Sequence, residues 1–125
     1  MAVKSTQLVW IVVADLKEAI KFYTETLGLK LLNSAEEFGW AELQGKDGGG
    51  MIGLAQASSH SPLKPGSNAV LTFTVDNIET ARTELQKKGL KLVGEVVEVP
   101  GHVKMQDCVD ADNNFLQLVE DLSSV

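Results

Sequence analysis

Two histidines, His60 and His102, one cysteine, Cys108, and two tryptophans, Trp10 and Trp40, are the scarce reactive or recognition-bearing side chains of this 125-residue sequence. A transition-metal site needs several nitrogen, sulfur or carboxylate ligands in a defined geometry. His60 lies in a polar stretch with no ligand pattern around it. His102 stands near Asp107 and Asp110, but in a strand an odd separation puts His102 and Asp107 on opposite faces. Cys108 shares the face of His102, Lys104 and Gln106, without the repeated Cys/His spacing of a nucleophile and its base. Its reading is a small, partly buried residue. Gly48-Gly49-Gly50 lacks the Lys-Ser/Thr of a phosphate loop and reads as a flexible hairpin.

Composition narrows the classes. The formal charge of −6 argues against nucleic acid, which is bound through clustered Lys and Arg. It suits a soluble acidic surface and tolerates a cationic ligand. The longest apolar run, Leu8 to Ala14, is far short of the ~20 residues needed to span a bilayer. The start, Met1 to Thr6, lacks the apolar region of a signal peptide. A lone cysteine cannot close an internal disulfide. The expectation is a cytoplasmic protein that touches neither membrane nor nucleic acid.

The elements that must position these residues repeat. Gly-Leu-Lys-Leu occurs at 28–31 and again at 89–92, and Asp15 and Asp76 precede it by the same distance. Such a period is too long for a solenoid unit and reads as a duplicated half-domain. Residues 8–13 form a buried strand, and Asp15 caps a helix carrying Leu16, Ala19, Ile20, Tyr23 and Leu27 on one stripe. Gly28 stops it. Strands follow at 29–34, 37–43 and 51–56, with a turn at Ala35-Glu36 and a flexible loop at 45–50. Residues 57–68 break periodicity and link the halves. The second half repeats the order: a strand at 69–75, a helix at 77–88, then strands at 91–98, 102–109 and 114–120. The order is βαβββ twice, an α+β domain with modules at about 1–56 and 69–125.

These halves, with Val13-x-Asp15-Leu16, Phe22-Tyr23, Leu27-Gly28-Leu29 and the closing Asp110-Ala111-Asp112-Asn113-Asn114 turn, resemble the vicinal oxygen chelate superfamily. That superfamily holds glyoxalase I, extradiol dioxygenases, methylmalonyl-CoA epimerase and the bleomycin and fosfomycin resistance proteins. The resemblance covers essentially the whole chain. It implies paired modules that curl their sheets into a curved mixed-sheet half-barrel, a cup commonly completed across a homodimer. Two residues of the closing turn depart from the pattern, Ala111 for Pro and Asn113 for Gly. Asn tolerates the left-handed conformation better than most residues, so the turn is expected to survive.

The resemblance also implies four metal-ligand positions, which fall here on Leu8, Gly53, Val70 and Gln117. Three have no donor atom, and one amide cannot hold a divalent cation. Moving the first position by one residue would offer Gln7 but flip the strand's faces. The expectation is no metal and no cofactor. Strand parity then lines the cup with Leu8, Trp10, Val12, Met51, Gly53, Ala55, Val70, Thr72, Thr74, Phe115, Gln117 and Val119. Glu42 and Asp107 are the carboxylates placed nearest its rim. An apolar wall with an indole and a few polar groups suits a small molecule. The reading is metal-free sequestration of a small apolar or aromatic compound, of the bleomycin-resistance type. Burial against Trp10 and Phe115 would hold the compound, and Thr72 and Gln117 would orient it. Four alternatives stay open: a lyase, isomerase or dioxygenase with a displaced metal site; a metal-free catalyst; a protein-interaction or regulatory dimer with no ligand; and wall residues that pack as core or dimer interface.

Overall fold

The computed structural model describes residues 7–60, 63–66 and 69–123. It divides into two compact units, Met1–Lys64 and Pro65–Val125.

The first unit begins with β1 (Val9–Val13), followed by α1 (Leu16–Lys21), which runs on as a π-helical turn, Phe22–Thr26. Then come β2 (Lys30–Ala35), β3 (Trp40–Gly45) and β4 (Gly48–Gln56). The sheet order is β1-β4-β3-β2, with β1 and β4 parallel and the other pairs antiparallel. A parallel pair needs a crossover, and α1 supplies it. Ile11, Val13, Ala41, Leu43, Ile52 and Leu54 turn to the helix side, where Leu16 and Tyr23 complete a buried core.

The second unit repeats the plan with β5 (Leu71–Thr74), α2 (Ile78–Lys87), β6 (Lys91–Val99), β7 (Val103–Val109) and β8 (Phe115–Asp121). Its order is β5-β8-β7-β6, again with one parallel pair, β5 and β8. Leu71, Ile78, Leu90, Cys108, Leu116 and Leu118 form its core. Buried Gln106 donates through Nε2 to the carbonyls of Val93 (3.2 Å) and Gly94 (3.1 Å), holding β6 where its pairing register slips. The chain is thus α+β, built as βαβββ twice.

Both helices start by the same devices. Asp15 Oδ1 accepts from Glu18 N at 3.1 Å, and Asn77 Oδ1 accepts from Thr80 N at 2.9 Å. Such side-chain acceptors satisfy N–H groups that the first helical turn leaves free. Each first helical N–H is also held by the last turn of the fourth strand. Gln56 Oε1 accepts from Leu16 N, and Glu120 Oε1 accepts from Ile78 N, both at 2.8 Å. At the far end of α2, Gly89 takes a left-handed φ of +96°, and Leu90 N reaches Leu85 O at 2.9 Å. A glycine in this conformation is a common helix stop.

The two helices differ by one residue. From cap to stop, Asp15 to Gly28 is one residue longer than Asn77 to Gly89. The π turn absorbs the surplus, with Leu27 N bonding five residues back to Phe22 O at 3.2 Å. Bonds of that span define a π-bulge within a helix. Thr24 Oγ1 donates to Ile20 O at 2.7 Å. Back-bonding of this kind bends helices. The second cap is therefore Asn77, while Asp76, the sequence counterpart of Asp15, lies outside the helix.

Three local expectations are corrected. The β2–β3 connection is not a two-residue turn at Ala35-Glu36 but a 3-10 turn over Glu36–Phe38 closed by Gly39 at φ +68°. A side chain there would press on Gln56, since a Cβ would lie 2.9 Å from Gln56 Cβ. The glycines at 48–50 are not loop; they open β4, because Gly45 pairs with Gly48 across a turn at Lys46-Asp47. His102 lies in the turn before β7 rather than opening it. The closing turn forms as expected, with Asn113 at φ +64°. Asp110 Oδ1 accepts from Asp112 N and Asn114 N, both at 2.9 Å.

Candidate functional site

In each unit one sheet face meets the helix, and the other carries the residues singled out from sequence. In the first unit the pairing register aligns Trp10, Gly53, Glu42 and Asn33 in one row across the strands. The adjacent row is Val12, Ala55, Trp40 and Ala35. Trp10 and Gly53 share a face, so Leu8, not Gln7, has the matching parity, and the one-residue shift does not occur. Leu8 precedes β1 and is half-buried, as is Met51 on β4.

Gly53 has no Cβ because Trp40 needs the room. A Cβ there would lie 2.7 Å from Trp40 Cζ2 and 2.9 Å from Trp10 Cβ, and such separations force something to move. Glycine inside a strand often marks close approach of another group, and here the group is an indole. Trp40 is fixed at its other end by Nε1 donating to Glu42 Oε2 at 2.9 Å. Trp10 and Trp40 meet with ring centroids 6.1 Å apart and planes at 69°. That is the edge-to-face geometry which the aromatic quadrupole favours. Trp10 keeps 42% of its surface exposed, and Trp40 is half-buried. The result is a corner of two indoles with a carboxylate at its edge.

In the second unit the equivalent row is Thr72, Gln117, Asp107 and Val93. Gln117 Nε2 donates to Asp107 Oδ1 at 3.1 Å. Phe115 and Thr72 are exposed on this face, and Val70, just before β5, is 59% exposed. Asp107 thus occupies the place that Glu42 holds in the first unit, mid-sheet rather than at a rim. The lining expected from sequence includes neither Trp40 nor the pairing of each carboxylate with a donor. Strand parity carries the signal: once Ala41 and Leu43 face the core, Trp40 and Glu42 must lie on the face of Gly53.

The residues at the implied metal positions do not fit a metal. Leu8 and Val70 bring no donor, Gly53 is covered by an indole, and the Gln117 amide is engaged with Asp107. Among the described residues no three His, Cys, Asp or Glu cluster as ligands. Cys108 is fully buried behind the second sheet, and burial, then the charges of Asp107 and Asp110, push its thiol up to about 12. Loss of water and neighbouring negative charge both disfavour a thiolate. A thiol so protonated is no nucleophile at neutral pH.

Among the described residues, no helix is long and apolar enough to cross a membrane. No curated protein matches the chain. Among solved structures it is similar to TnmS3, an antibiotic binding protein from Streptomyces sp. CB03234, at 25% identity and a TM-score of 0.80, covering 97% of this chain and 98% of that one. A glyoxalase/bleomycin resistance protein from the same organism is also 25% identical, with a TM-score of 0.74 and 91% and 98% covered. A superfamily member from Sphaerobacter thermophilus DSM 20745 shares the fold at 20% identity, with a TM-score of 0.82 and 97% and 100% covered. The family profile matches residues 5–121, nearly the whole length. With two βαβββ units of this order and that match, the chain belongs to the Glyoxalase/Bleomycin resistance protein/Dioxygenase superfamily.

Proposed function

We propose that this protein binds and sequesters a small, largely apolar or aromatic organic molecule without a metal, as a cytoplasmic homodimer. The observation that carries the reading is at Gly53. Where the resemblance implies a metal-binding glutamate there is bare backbone, and its volume is taken by the Trp40 ring. The same substitution that removes a ligand builds an aromatic wall with Trp10, half open to solvent. An indole pair offers a large apolar face and no acid–base chemistry. The likeness to an antibiotic binding protein is consistent with this. The sheet of the second unit carries a face of its own, where Phe115 offers apolar surface and Thr72 and Gln117 offer polar groups that would orient a ligand.

Metal content and binding both test it. Protein purified without chelators should carry well under one divalent ion per chain, with a melting temperature that EDTA does not change. Equilibrium dialysis against naphthols, coumarins and quinolines should reveal saturable binding, with each bound compound recovered chemically unchanged. Trp10→Ala should weaken that binding about tenfold, roughly 1.4 kcal/mol, while the protein stays folded. Stoichiometric zinc, nickel or iron whose removal destabilises the protein would instead favour a metal-dependent enzyme.

A further inference from the structure

We infer that the corner formed by Trp10, Trp40 and Glu42 is a recognition site for an organic cation, a quaternary or protonated amine; this rests on the binding function proposed above and names its ligand class. The argument begins with the two ring planes. At 69° and 6.1 Å they make two walls rather than a flat stack. Each indole face is electron-rich and attracts positive charge. A compact cation set in the corner meets more than one negative face. Glu42 then adds a full charge at the edge of the corner. Its Oε2 accepts from Trp40 Nε1 at 2.9 Å, which fixes the ring and draws its N–H proton toward the carboxylate, leaving the indole face more negative.

That carboxylate has no cation of its own. Glu42 Oε2 is engaged by the Trp40 N–H, and no described cation forms an ion pair with Glu42. Its own row, Trp10-Gly53-Glu42-Asn33, and the row of Trp40, Val12-Ala55-Trp40-Ala35, contain neither Lys nor Arg, and Lys30, which pairs with Gln44 on the row to its other side, forms no ion pair with Glu42. A neutral ligand pressed into this corner would strip water from Glu42 and offer nothing in return, whereas a cation offsets that desolvation. The net charge of −6 favours the same ligand at longer range.

The probe pair is choline and 3,3-dimethylbutan-1-ol, which have one shape and differ by the charge. In the full chain labelled with nitrogen-15, the indole N–H signals of Trp10 and Trp40 are followed during titration with each. Choline should move both signals saturably, with a Kd about tenfold or more below that of the alcohol. Added salt should weaken choline alone. Glu42→Gln keeps an amide oxygen for Trp40 Nε1 and removes the charge. It should bring the choline preference down to about threefold or less by weakening choline, with the alcohol, relieved of desolvating a charge, binding no more weakly than before. Equal binding of the two probes, or an unchanged preference in Glu42→Gln, overturns the inference. Silence toward choline while neutral aromatics still bind in dialysis overturns the cation and leaves sequestration standing. Silence toward every compound overturns both.

Discussion

At the scale of single residues, the molecule separates what is exposed for recognition from what is hidden. Cys108 shows the hidden kind. It is wholly buried, its Sγ lies 3.7 Å from Leu116 O, and its thiol is held protonated up to about 12 by burial and by Asp107 and Asp110. Its contribution to stability is fully present below the unfolded value of 9.0. Above that, the unfolded chain ionises first, and stability is lost as pH rises toward about 12. The loss is about 1.4 kcal/mol per pH unit, the free energy equivalent of one unit of pKa difference. Urea titrations between pH 8 and 11 should therefore show a steeper alkaline loss for the native protein than for Cys108→Ala. Equal slopes would mean that the thiol is not protected. A thiol reagent at neutral pH should label Cys108 only at the rate of global unfolding.

At the scale of elements, the repeat carries one device that no local pattern announces. The fourth strand of each unit carries at or next to its end a side chain, Gln56 or Glu120, that takes the first N–H of the helix in the same unit. Gln56 also donates to Ala14 O, so it clamps the strand–helix turn from both sides. Helix ends leave orphan N–H groups, and a cap is typically worth about 1 kcal/mol. Gln56→Ala removes an acceptor and a donor together and should lower stability by roughly 1–3 kcal/mol, read from the urea midpoint at constant slope. Gln56→Glu restores only the acceptor and should recover part of the loss. An unchanged midpoint in Gln56→Ala would show that water replaces the clamp.

At the scale of the whole molecule, the exposed apolar residues bear on the assembly proposed above. Phe38 is 82% exposed, and Val9, Leu31, Leu32, Val70, Val97 and Phe115 are exposed as well. Scattered exposed apolar residues are normal, and the proposed partner surface would cover those that lie together. The homodimer proposed above is the simplest, since closed twofold pairs are the commonest oligomers. Sedimentation equilibrium at micromolar concentration should return twice the chain mass of 13.5 kDa. A monomer at that concentration would remove assembly from the proposal without touching the indole corner.

Much of this was legible along the chain. The repeated Gly-Leu-Lys-Leu, the capping Asp15 and the stripe of Leu16, Ile20 and Tyr23 are local signals, set by backbone sterics and helical spacing, and they survive folding unchanged. They carried the α+β class, the doubled βαβββ order and the family. The absence of donors at Leu8, Gly53 and Val70 is likewise a fact of residue type. Tertiary structure alone decided what replaces them. Whether Trp40 lies over Gly53 depends on the β3–β4 register, which shifts between Leu43 and Gly45 at an irregularity that no residue pattern announces. That register also turned the glycines at 48–50 from loop into strand. The π turn escaped notice for a similar reason: one surplus residue costs nothing to write in a sequence, and only a helix pinned at both ends must absorb it.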